Sequence, residues 1–274
     1  MSVWLHDKRF PEVIEYLEKN DMILLPVGSV EQHGPHLPLK TDASEAIDVA
    51  EEIGRRTGIL VASPIWYGWT PQHMGFPGTV TLRSDTLIRV IEDVCNSLIH
   101  GGFKKIFIIN GHRLYNLNPL EIASVKVRIK TNAYVSIIDV ALVAVNEITE
   151  ICNDTEVGAI FHGGVSETSF MLYKHNELCD MSKAEKRIGK FVGDRYRSYA
   201  HNIDSRLKNN AYILKATYEE YKEHSDGKGS IGDPTLASKE RGKQIFEVIV
   251  KNAIEVINNA KSVEVEIKET EVPV

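Results

Sequence analysis

The sequence predicts an α/β fold: a single domain, residues 1–274, built as a mostly parallel sheet flanked by helices on both faces. Three observations predict it. Short apolar runs rich in Ile and Val recur through the first half of the chain, each bounded by Gly, Pro or Asn. Segments with helical periodicity lie between them. Strands that alternate with helices imply right-handed crossovers, which give parallel sheets covered on both sides.

Taken in order, "MILLPV" (22–27), "GILVASPI" (58–65), "KIFIIN" (105–110) and "AYVSIIDV" (133–140) read as buried strands. The helical segments are 43–56, 84–100 and about 117–130. In the second, Leu87, Val90, Ile91, Val94 and Leu98 form one apolar stripe suited to covering a sheet. Ser84 is its expected N-cap, and Gly101-Gly102 its stop. The C-terminal third is less regular. A Gly-rich loop, 226–242, leads into a final helix from 243 to about 260, and "VEVEIKETEVPV" (263–274) reads as either a short edge strand or a frayed tail.

Composition narrows the function. With 43% hydrophobic residues the chain can bury a large core without covalent staples. A formal net charge of -6 argues against a protein whose work is neutralising a phosphate backbone, so nucleic acid is excluded as a partner. The first twenty residues hold no apolar run after a basic start, and no stretch of eighteen apolar residues occurs, which predicts a cytoplasmic protein without a membrane partner. Cys95, Cys152 and Cys179 lack paired spacing and read as reduced packing residues.

Parallel sheets bind ligands outside the carboxyl ends of their strands. The first strand runs into Glu31 and His33, the second into "WYGWTPQH", the third into Gly111-His112, so three polar clusters are expected on one rim. Glu31 and His33, two apart, face one side of an extended chain, and Asp42 returns after a turn pinned by Pro35 and Pro38. A carboxylate, an imidazole and a second carboxylate suit Zn²⁺ or Mn²⁺. His112 at the end of a buried strand adds to that set, against the alternative of a hydrogen-bonded strand-end histidine. In "FHGGVSETSFML" (161–172), His162 precedes two glycines and Glu167 opens a helix; alone, these fit helix capping as well as chemistry.

The segments "LPVGSVEQHGPHLPLKTD", "YGWTPQHMGFPGTVTL", "FIINGH", "HGGVSETSFML" and "GSIGDPTLASKERG" together resemble the creatininase (creatinine amidohydrolase) family of metal-dependent hydrolases, in order and in approximate spacing. The resemblance implies a creatininase-like fold and one or two divalent ions, Zn²⁺ or Mn²⁺. By it, Glu31, His33, Asp42 and His112 are metal ligands, with Asp42 bridging, and Glu167 is either a further ligand or a supporting carboxylate with a catalytic role. His162 is the candidate for proton transfer to the leaving group. His36 is a ligand by type that the family pattern does not use. The implied reaction is attack of metal-bound hydroxide on a small cyclic substrate: C–N cleavage of a cyclic amide, or alternatively C–C ring-opening of a cyclic polyhydroxylated diketone of the 3-dehydro-scyllo-inosose type, as in inositol catabolism. A closed homo-oligomer, a hexamer, is also implied.

The chain departs from the family at "NGHRLYN" (110–116), where many members read Asn-Gly-His-Gly-Gly-Asn. In creatininase a glutamate ligand stands two positions after the histidine; here Leu114 does. Three outcomes stay open: Glu167 substitutes, the second ion is weakly held, or the site has one metal. Arg113 and Tyr115 in that loop, with Trp66 and His73 from the second cluster, are candidate substrate-binding residues. The rival from another class is a metal-free binding relic that kept the fold.

Overall fold

The computed structural model describes residues 2–188, 205–206 and 217–268. Four strands, β1 (Met22–Val27), β2 (Leu60–Val61), β3 (Lys105–Asn110) and β4 (Tyr134–Asp139), form a sheet in the order β2-β1-β3-β4, parallel throughout. The register sets Val27 beside Asn110 and Asn110 beside Asp139, so three strands end at one level.

Strand residues alternate between two cores, as the period of two demands. Met22, Leu24, Phe107 and Ile109 face one side, where α2 (Thr41–Thr57), α5 (Val145–Ile151), α6 (Val165–Lys174) and α8 (Lys239–Ala260) cover them. Ile23, Leu25, Val27, Ile106 and Ile108 face the other, under α3 (Ser84–His100) and α4 (Arg113–Thr131), with α1 (Phe10–Leu17) at its margin. Each fully buried Leu, Ile or Phe stabilises the fold by roughly 1.5–3 kcal/mol. The doubly covered parallel sheet of the sequence prediction is the observed one. No described helix is long and apolar enough to cross a membrane.

Several boundaries differ. The run at 58–65 pairs continuously only over two residues and then by an isolated bridge from Ile65 to Val27, because it is an edge strand and Pro64 has no N–H to give. Ser84 is the first residue of α3 rather than its cap; Arg83 holds the cap position. α4 starts at Arg113, four residues before the expected point, and carries Pro119 inside it. α2 starts at Thr41, which puts Asp42 in its first turn, where a carboxylate favours the helix dipole. α8 starts at Lys239, capped by the Ser238 hydroxyl accepting from the Arg241 N–H. Residues 263–268 form no strand, and 269–274 lie outside the described residues. The three cysteines are free, as expected.

Candidate metal centre and its cleft

Two glycines bring the centre together. A Cβ on Gly111 would collide with the Asp42 carbonyl oxygen, and one on Gly28 with Ala43 Cα. Glycine at the ends of β1 and β3 therefore lets the first turn of α2 rest directly on the sheet edge and delivers Asp42 to the residues that follow those strands.

There, Asp42 presents one oxygen to each of two imidazoles. Oδ1 lies 3.0 Å from His33 Nε2, and Oδ2 lies 3.0 Å from His112 Nδ1. His112 Nε2 is 3.4 Å from Glu31 Oε2, and His33 Nε2 is 3.7 Å from Glu167 Oε2. Glu31, His33 and Asp42 are buried, with Glu167 at the mouth, its side chain 21% exposed. Two ligand-type triads result, Glu31–Asp42–His112 and His33–Asp42–Glu167, which share Asp42; a third group joins Glu31, His33 and His162.

The donor set fits a divalent cation. Glu31 Oε1 is buried and accepts no hydrogen bond among the described residues, and each Asp42 oxygen is faced by an imidazole, a buried carboxylate pair that a divalent cation would complete. With one ligand atom taken from each residue, the atoms of each triad lie within 4.8 Å of one another, close enough to surround a single ion.

Hydrogen bonds around the centre fix the histidines. Gln32 Oε1 accepts from the Gly34 N–H (2.9 Å), which turns its amide nitrogen toward His73 Nδ1 (2.7 Å) and Gly229 O (3.2 Å). His73 Nδ1 is then the acceptor, so its proton is on Nε2, 3.4 Å from Glu31 Oε1. His162 Nε2 donates to the Gln32 carbonyl (2.6 Å), and its Nδ1 faces Glu31 Oε1 at 3.8 Å. The His162 ring stacks between His33 (4.2 Å) and His73 (4.5 Å). Ser29 Oγ donates to Glu31 Oε2, Gly163 N–H to Glu167 Oε2.

Charge states follow from this crowding. Burial disfavours a charged His33, but Asp42, Glu167 and Glu31 outweigh it and hold the imidazole at about 10; Glu31 and Asp42 likewise carry His112 to about 9 against its burial. Burial also works against the Asp42 charge, yet His33 and His112 keep its carboxyl well below the usual range. Burial, reinforced by Asp42, pushes Glu167 up to about 7. His73 is driven well below its ordinary value by burial and by His162 and His33, so it stays neutral.

The centre opens on a cleft. His73, Arg113, Leu114, Tyr115, His162 and Glu167 line it. Trp66, expected on this wall, does not: Ile65 bridges Val27 and packs inward, so the next side chain points outward and is 42% exposed. Tyr115 lines the cleft with its ring lying along His112 (5.9 Å, 13°) and edge-on to Trp69. Trp69 reaches the centre through its carbonyl, 3.3 Å from His112 Nε2. His36 stands behind, its Nε2 2.9 Å from Thr168 Oγ1, and burial lowers it to about 4.

Three participants escaped the sequence reading. Gln32, between Glu31 and His33, carries no ligand-type group and drew no expectation. Glu45 is buried in the cleft wall with its carboxyl raised well above the usual range by burial, then by Glu167 and Asp42. Its position three residues after Asp42 on a helix was the available signal. Tyr221, in α7 (Tyr218–His224), packs edge-on to His73 (4.1 Å) and donates to Gly229 O; nothing in "YEEYKEH" announced it.

Comparison with known proteins locates the fold. The family described as creatinine amidohydrolase (Creatininase) matches residues 6–257. Over 122 residues the chain is 36% identical to 3-dehydro-scyllo-inosose hydrolase of Thermotoga maritima, covering 44% of this chain but only 39% of that protein. It is 26% identical over 198 residues to creatinine amidohydrolase of Pseudomonas putida (66% of this chain, 75% of that one). It is 26% identical over 242 residues to a mycofactocin precursor peptide peptidase of Mycobacterium tuberculosis (85% and 82%). A crystal structure of creatinine amidohydrolase superposes with a TM-score of 0.78 at 22% identity, over 96% of this chain and 99% of that one. A manganese form of creatininase gives 0.76 at 23%, over 96% and 100%.

Proposed function

The chain belongs to the creatininase family of hydrolases, and from that premise we propose that it is a metal-dependent hydrolase, acting as one unit over its whole length, that opens a small cyclic substrate with water. The observation that carries this reading is Asp42, whose two oxygens face His33 and His112 at 3.0 Å each. A divalent cation bound there, zinc or manganese as in solved creatininases, would supply Lewis acidity for a water and a carbonyl group.

The chain's own residues do the rest. Glu31, Asp42 and His112 would hold one ion and His33, Asp42 and Glu167 a second, Glu167 standing in for the ligand that Leu114 cannot be. His162, with its Nε2 proton committed to the Gln32 carbonyl, accepts a proton at Nδ1 from the attacking water and returns it to the departing atom. The Gln32 amide and Ser29 hydroxyl keep His73 and Glu31 from turning. The acidic, partly unpartnered cluster speaks against a metal-free relic, for which so many buried carboxylates would only cost stability.

Two ring-opening reactions compete. C–N cleavage of a cyclic amide accords with the likeness to creatinine amidohydrolase; C–C cleavage of a cyclic polyhydroxylated diketone, in inositol catabolism, accords with the 36% identical segment shared with the Thermotoga hydrolase. Mass-spectrometric screening of cyclic amides and cyclic polyhydroxy ketones with the metal-loaded protein tests both. A product heavier by one water from one class selects that reaction, and no product from either class defeats the hydrolytic reading. Family membership also leads us to propose a closed homo-oligomer, a hexamer, measurable by light scattering.

A further inference from the structure

One charged group in the cleft is not accounted for by the metal centre. Arg113 is the first residue of α4, it lines the cleft, and its Nε and Nη1 atoms are buried without a hydrogen-bond partner among the described residues. Guanidinium donors withdrawn from water and left unpaired are costly. Asp139, the acid that acts on Arg113, has its oxygens engaged already: Oδ2 accepts from Asn110 Nδ2, Oδ1 from the Ala141 and Leu142 N–H groups. The guanidinium therefore has no ion pair within 4 Å among the described residues to explain the burial of these two nitrogens.

A second feature points to the same place. The N-cap of α4 is His112, whose side chain makes no capping hydrogen bond and is turned instead to Asp42. The first-turn amides of this nineteen-residue helix thus receive no capping bond from the N-cap side chain, at the end where the dipole favours negative charge. Guanidinium and uncapped first turn together present forked donors to one planar anion.

We infer that the cleft takes a cyclic substrate bearing a carboxylate, which seats against Arg113 and the first turn of α4 while the scissile carbonyl faces Asp42 and Glu31. The inference rests on the hydrolytic reading and names the substrate class within it. A carboxylate fits better than a phosphate, because Arg113 is the one arginine or lysine among the described lining residues and Val140, Ile148, Ile245 and Ile249 add an apolar wall to the cleft. A phosphate dianion would want more donors than this.

The test uses two matched pairs of probes, 2-pyrrolidone with 5-oxoproline and hydantoin with hydantoin-5-acetate, titrated calorimetrically into the metal-loaded protein and into Arg113→Met and Arg113→Lys, with inorganic phosphate as a further ligand. The expected result is binding of the carboxylate member about tenfold or more tighter within each pair. That advantage disappears in Arg113→Met and is partly kept in Arg113→Lys, with thermal unfolding showing both variants folded. Equal affinities within the pairs, no binding of any probe, phosphate binding tighter than the carboxylates, or a preference that survives Arg113→Met each overturn the inference. Turnover is scored separately by mass. An Arg113-dependent preference without turnover supports the anion seat while counting against hydrolysis of these amides; turnover of the neutral members with no preference removes the seat and leaves the hydrolase.

Discussion

The two ends of the sheet bury polar groups in opposite ways. At the amino end, Lys105 is 5% exposed, donates to Lys261 O (3.2 Å) and lies 3.6 Å from Asp21. Tyr16 donates to Met22 O and accepts from the Leu60 N–H, while the Met22 N–H reaches Asn20. Every one of these groups finds its partner within the chain. At the carboxyl end, Glu31 keeps a buried oxygen and Arg113 two nitrogens without a hydrogen-bond partner among the described residues. Burial alone does not mark a functional residue, since both ends bury charge. What separates them is that the described groups at one end satisfy one another, whereas at the other a carboxylate oxygen and two guanidinium nitrogens are left unpaired among the described residues.

Substitutions should divide along the same line. The largest effect is expected from Glu31→Gln, which keeps the shape of the centre and removes a charge: turnover of any substrate found should fall by about a thousandfold or more, ~4 kcal/mol of barrier, with the metal-free protein no less stable. Steady-state kinetics beside denaturant unfolding checks this, and a large loss of stability with activity intact would erase the contrast. Gly111→Ala should break the contact between α2 and β3 and cost about 3 kcal/mol or more, taking cation binding with it.

Acidity gives the next test. His33 at about 10 and His112 at about 9 stand above their ordinary 6.5, so the stability they contribute is complete below that value and is lost as pH rises through 9 and 10. Glu167, raised from 4.5 to about 7, contributes in the same sense, its share lost as pH rises to 7. The chelator-treated protein should therefore lose several degrees of Tm between about pH 6 and pH 10, and Zn²⁺ or Mn²⁺ should restore them by replacing the protons. A flat or rising Tm without metal would contradict these charge states. The smallest effect belongs to the amino end: Lys105→Met should cost about 1 kcal/mol and leave turnover unchanged.

Much of this was legible in the sequence because strands and helices announce themselves by period. β1, β3 and α3 lie where the apolar pattern puts them, and Glu31, His33 and His112 fall just beyond strand ends, where a parallel sheet binds ligands. The pattern fails where one residue overrides its run. Pro64 cuts the second strand to a two-residue pairing, and the inward turn of Ile65 sends Trp66 to solvent. Long-range packing was invisible as well. That Gly28 and Gly111 admit α2, that Gln32 orients His73 across forty-one residues, and that Tyr221 closes over the histidines depend on contacts no local spacing encodes.

Direct titration of Mn²⁺ and Zn²⁺ into the chelator-treated protein, with bound metal counted by mass spectrometry, tests the role given to Asp42 most directly. The native protein should take up two divalent ions per chain, and Asp42→Ala, which removes the carboxylate between both triads, should retain neither tightly while staying folded. Native protein that binds no divalent ion, or an Asp42→Ala protein that holds the same number with the same affinity, would contradict it.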